Sequence, residues 1–73
     1  RKIYQTRKSA RGLSPREAEV LNAVAKGLNN REIGKALGIS ENSIKMHLKR
    51  IFFKLIVSDR VEAVTLAMQR GIL

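Results

Sequence analysis

From Leu13 to the end of the chain, apolar residues recur at helical steps of three and four, cut by glycines and by residues able to cap helix ends. Residues 1–12 lack that period. RKIYQTRKSARG carries five basic side chains, no acidic one and a closing glycine, the composition of a basic arm or linker. Residues 13–73 predict one all-α domain of four helices, with no stretch in the period of two that a half-buried strand needs.

Ser14 opens the first helix: its hydroxyl can accept from the amide of Glu17 while Glu17 reaches back, and Pro15 stands where no amide is required. Val20, Leu21, Val24 and Leu28 form the inward stripe, and Gly27 supplies a left-handed turn at its end. Asn29 and Glu32 repeat the capping pattern for a second helix of about two turns, with Ile33, Ala36 and Leu37 facing inward and Gly38 as the stop. Ser40 caps a third helix, whose Ile44, Leu48, Ile51 and Leu55 fall at steps of four, three and four and make one buried face. Asn42, Lys45 and Lys49 lie opposite, Arg50 and Lys54 lie at the edge, and Glu41 sits near the N-terminus, where the helix dipole favours an anion. Ser58 is expected to cap a fourth helix running through Ala63, Val64 and Ala67 to Gly71.

Charge narrows the choice of partner. Fifteen Lys and Arg against six Asp and Glu give a formal net charge of +9 on 73 residues, which favours an anionic macromolecule, nucleic acid first. The absence of cysteine removes disulfides and thiolate metal sites and fits a reducing cytoplasm. His47 is the only histidine, so a metal site or catalytic dyad lacks partners, and Glu17 and Glu19 point to different sides of their helix. A domain this small has no room for a buried catalytic cleft, and neither an enzyme nor a cofactor protein is expected. The most apolar stretch, Ile51 to Val57, is interrupted by Lys54 and is too short to span a membrane. The chain opens on Arg1 rather than Met, from which an upstream domain is expected.

A two-turn helix, a turn around Gly38 and a longer helix with a basic face are the parts of a helix-turn-helix. In that geometry the longer helix enters the major groove, and the outward residues of its first two or three turns reach base edges. Those are Asn42, Lys45, Met46 and Lys49. Lysine can donate to guanine O6 and N7, asparagine can pair with adenine, and a methionine can rest on a thymine methyl. Arg50, at the edge of the face, is assigned to phosphate.

The segments LSPREAEVL, NNREIGKALGIS, ENSIKMHLKRIFFKL and SDRVEAV, followed by Gly71, occur in this order. With them the chain resembles, from Leu13 to Leu73, the LuxR-type (FixJ/NarL-type) DNA-binding domain. The resemblance implies that Lys45, Met46 and Lys49 face bases and that Asn30, Arg31, Ser43 and Lys54 approach phosphates. The chain departs from the family pattern at two places. Ile56 stands where glycine or asparagine is usual, so a different helix end is expected there. Phe53 stands where a small, polar or charged residue is usual, and with Ile56 it makes an apolar patch that the arm residues Ile3 and Tyr4, or an upstream domain, could cover.

The reading that follows is the output domain of a bacterial transcription regulator, binding double-stranded DNA. Val61, Thr65 and Met68, at i, i+4 and i+7 of the fourth helix, form an outward stripe expected to pair two copies on DNA. Arg60, just inside that helix, is placed either to touch a phosphate or to pair with Glu17 or Glu32 and lock helices together, and the structural role is favoured. An upstream receiver is the favoured regulatory domain, and RNA polymerase is a further candidate partner. Region 4 of a sigma factor is the nearest rival and normally ends soon after the recognition helix. An RNA-binding module is disfavoured by the scarcity of aromatics.

Overall fold

The computed structural model describes residues 12–73. Apart from Gly12, the basic arm and its Ile3 and Tyr4 lie outside the described residues. The elements are α1 (Pro15–Ala25), α2 (Asn30–Leu37), α3 (Glu41–Leu55) and α4 (Arg60–Gln69). The described residues form the all-α, four-helix architecture that the pattern predicts.

The helix starts follow the local chemistry. Ser14 and Glu17 form a reciprocal capping box with Pro15 in the first turn, and Asn29 and Glu32 form a second one. Ser40 caps α3 by accepting from the amide of Ser43. The fourth start differs from expectation by one residue: Asp59, not Ser58, is the cap. Asp59 accepts from the amide of Glu62 at 2.9 Å, while the amide of Ser58 donates to Glu62 Oε1 at 2.6 Å. A carboxylate one step closer to the helix takes the capping geometry, and Ser58 falls back to a donor.

α3 packs on all three other helices. Val20, Leu21, Ile33, Ile44, Ile51, Ala63 and Ala67 are fully buried, and Leu48 and Leu55 nearly so. Each large member stabilises the fold by about 1.5–3 kcal/mol relative to an exposed side chain. Ala63 and Ala67 let α4 approach closely. Phe52, Val64 and Leu66 pack around this core half-buried.

The inward face of α2 differs from the expected one, because Ala36 is exposed and Gly34 is buried. A Cβ at Gly34 would stand 2.7 Å from the carbonyl oxygen of Ile39, so the turn between α2 and α3 folds directly over this position. Gly34 therefore sets how closely the two helices of the helix-turn-helix meet. The expectation for Ile56 is also corrected. The helix does end in a left-handed cap, with Ile56 at φ 57 and ψ 55, a conformation costing an L-residue about 1–2 kcal/mol. The amide of Val57 bonds the carbonyl of Phe52 at 3.0 Å, and Val57 then packs against the core. The burial beyond the turn holds it in place.

Candidate nucleic-acid interface

The buried stripe of α3 fixes what the rest of the helix presents. With Ile44, Leu48, Ile51 and Leu55 turned inward, Asn42, Lys45, Met46, Lys49 and Arg50 are all exposed. Asn42, Met46 and Lys49 share one side of the helix, with Lys45 and Arg50 flanking it. Met46 keeps 55% of its surface in solvent.

The ion pairs among the described residues are Arg16–Glu19 at 3.4 Å and Lys54–Glu17 at 2.7 Å. Among these residues, Arg31, Lys35, Lys45, Lys49 and Arg50 therefore hold charge that no carboxylate offsets. The start of α2 adds donors beside them. Its capping box uses the amides of Asn29 and Glu32, and Ile33 bonds back to the carbonyl of Asn29. The amides of Asn30 and Arg31 remain as the unbonded first-turn donors. Asn30, Lys45 and Lys49 line one cleft of ≈ 320 Å³, whose apolar wall is Leu48 and Phe52 and whose far side is Ser58, Asp59 and Arg60. Ser43 is half-buried, and its hydroxyl accepts from that of Ser40 at 3.0 Å within the cap of α3.

Lys54 does not join this group. Its Nζ donates to Glu17 Oε1 at 2.7 Å and to the carbonyl of Gly12 at 3.0 Å, so the ammonium that was expected to meet a phosphate is bonded inside the domain. Glu17, only 3% exposed, also accepts from the amide of Ser14 at 2.9 Å. Burial pushes the Glu17 carboxyl up. The hydrogen bonds from Lys54 and Ser14 and the charges of Lys54 and His47 outweigh burial and hold its pKa below the ordinary value. His47 itself is half-buried, and its Nδ1 has no hydrogen-bond partner among the described residues.

Arg60 also has different partners from those expected. It bonds the carbonyl of Leu28 at 3.3 Å and the side-chain oxygen of Asn30, rather than Glu17 or Glu32. Its partners lie 32 and 30 positions away, and no local spacing signals such a pair. Among the described residues no group of His, Cys, Asp and Glu could hold a metal ion, and no helix is long and apolar enough to cross a membrane.

The sequence profile of bacterial regulatory proteins of the luxR family matches residues 11–67. The chain belongs to this LuxR family. That assignment answers the sigma-factor alternative, since the match runs through α3 and most of α4. The LuxR-family domain is 49% identical over 61 residues to the transcriptional regulatory protein YdfI of Bacillus subtilis (strain 168), covering 84% of this chain and 29% of that protein. It is 41% identical over 58 residues to the nitrate/nitrite response regulator protein NarP of Escherichia coli (strain K12), covering 80% of this chain and 27% of NarP. Among solved structures it resembles the crystal structure of the response regulator ChrA of a heme-sensing two-component system, with a TM-score of 0.82 and 42% identity, over 85% of this chain and 31% of ChrA. The chain thus spans under a third of the length of these relatives. YdfI is by name a transcriptional regulatory protein, NarP and ChrA are by name response regulators, and the matched family is one of bacterial regulatory proteins.

Proposed function

We propose that the domain binds double-stranded DNA sequence-specifically, with α3 in the major groove, as the output module of a cytoplasmic response regulator. The observation that carries this reading is the outward face of α3, whose cations have no carboxylate partner among the described residues, directly after the helix-turn-helix turn. Asn42, Lys45, Met46 and Lys49 read base edges. Asn30, Arg31, Ser43 and Arg50 meet phosphates, and Lys54 supports the fold instead. The test compares a duplex enriched from a random pool with an unselected duplex. Lys45→Ala and Lys49→Ala weaken binding to the enriched duplex by about 1–3 kcal/mol and to the unselected one by less. Equal losses on both would remove base reading from these residues.

The same reading pairs two copies through α4. Val61 and Met68 are 72% and 66% exposed and Thr65 is exposed beside them, an apolar stripe on a helix whose other face is already in the core. A twofold axis there sets two recognition helices on half-sites about one DNA turn apart. The stripe is small, so pairing depends on DNA raising the local concentration. Met68→Glu then abolishes cooperative filling of two half-sites and leaves a single half-site unaffected, as read by mobility-shift titration. Unchanged cooperativity in a folded variant excludes this interface. An upstream receiver domain supplies the signal, and RNA polymerase is the partner through which transcription responds.

A further inference from the structure

Arg60, the first residue of α4, reaches back to the start of α2, where Nη1 donates to the carbonyl of Leu28 and Nη2 to Oδ1 of Asn30. Both side chains are half-buried. A guanidinium has donors only, whereas an amide side chain has one accepting end and one donating end. Arg60 can therefore take only the oxygen of Asn30, which leaves Nδ2 with its two hydrogens as the group that Asn30 can offer to a ligand. Asn30 lines the same cleft as Lys45 and Lys49 and stands beside the free amides at the start of α2. A phosphate arriving there is an acceptor. If the amide were turned the other way, oxygen would face oxygen.

We propose that Arg60 is a positioning residue for DNA binding: by occupying Oδ1 it fixes the side chain of Asn30 so that Nδ2 donates to a backbone phosphate. The inference rests on the phosphate role proposed above for Asn30. It gives α4 a part in DNA binding separate from pairing two copies, because the residue that begins α4 sets the polarity of a contact made by α2.

A phosphate contact is independent of sequence, so a short fluorescent duplex of mixed sequence at low salt is a sufficient probe. Asn30→Ala weakens its binding about tenfold, the scale of one hydrogen bond to a charged group. Arg60→Met weakens it by a similar factor alone and adds nothing in the Asn30→Ala background. Asn30→Asp keeps an oxygen for Arg60 and retains the melting temperature, but turns its second oxygen to the phosphate and binds more weakly than Asn30→Ala. Asn29→Asp, which makes the same charge change one residue earlier and keeps a capping side chain, controls for charge alone and loses less. Losses from Arg60→Met and Asn30→Ala that simply add would overturn the positioning role while leaving the phosphate contact standing. Wild-type binding by Asn30→Ala would overturn both. Should Arg60→Met not fold, Asn30→Asp decides, and binding as tight as that of Asn29→Asp contradicts the proposed orientation.

Discussion

The two halves of α3 carry lysines on one continuous helix and use them in opposite ways. In the first three turns Lys45 and Lys49 are exposed and have no carboxylate partner among the described residues. In the last turn Lys54 is tied to Glu17 and to the carbonyl of Gly12. The difference lies in the neighbours, because Lys54 stands over a buried carboxylate of α1 and the others face open solvent. A formal charge of +9 is therefore not one uniform resource. Part of it is exposed without a carboxylate partner among the described residues, as the proposed DNA contact requires, and part of it holds together α1, α3 and Gly12. The apolar residues follow the same division. Met46 lies within the free half, whereas Phe53 and Ile56, 85% and 90% exposed, crowd the half that is locked.

Breaking the lock gives the largest expected effect. Lys54→Met leaves the Glu17 carboxylate buried with only the Ser14 amide as partner and costs about 1–2 kcal/mol of stability at neutral pH, between the scales of a surface and a buried pair because the lysine side chain is 37% exposed. The sign of its pH dependence follows from the lowered pKa of Glu17. A depressed carboxyl stabilises the fold above its unfolded value, about 4.3, and that stabilisation is lost as pH falls through the folded value. Urea denaturation of wild type and Lys54→Met should therefore differ most above that value and converge toward acid. A gap that stays constant with pH would mean that the pair contributes nothing through ionisation.

A smaller effect of opposite sign is expected at the end of the same half. Ile56→Gly removes a left-handed penalty of about 1–2 kcal/mol and loses almost no burial, since the side chain is 90% exposed. Against this stands the greater chain entropy of glycine when unfolded, about 0.5–1 kcal/mol. The net expectation is a gain of about 0.5–1 kcal/mol, seen as a higher melting temperature. A loss would show that the isoleucine side chain packs on something that stabilises the fold.

The sequence makes the local features of this molecule legible and leaves the distant ones hidden. The capping boxes at Ser14 and Asn29, the stop at Gly38 and the successive steps of the stripe from Ile44 to Leu55 all rest on residues within four positions of the next, and α1, α2 and α3 follow from them. The exposed face of α3 follows from its buried one. Local reading fails where two capping residues compete, as at Ser58 and Asp59, and where a close backbone approach decides, as at Gly34. The bonds of Lys54 to Glu17 and of Arg60 to Asn30 join residues 37 and 30 positions apart. The family resemblance assigned Lys54 to a phosphate and the sequence favoured a carboxylate for Arg60, but only the packing of the helices shows what each one holds.

The dependence of duplex binding on salt tests the division of α3 most directly. Each phosphate contact contributes about 0.9 to the slope of log affinity against log salt concentration. Arg50→Ala, in the free half, is expected to flatten the slope by roughly one unit, while Lys54→Met, assayed where it is fully folded, leaves the slope as in wild type. A flattened slope for Lys54→Met together with an unchanged one for Arg50→Ala would contradict the account.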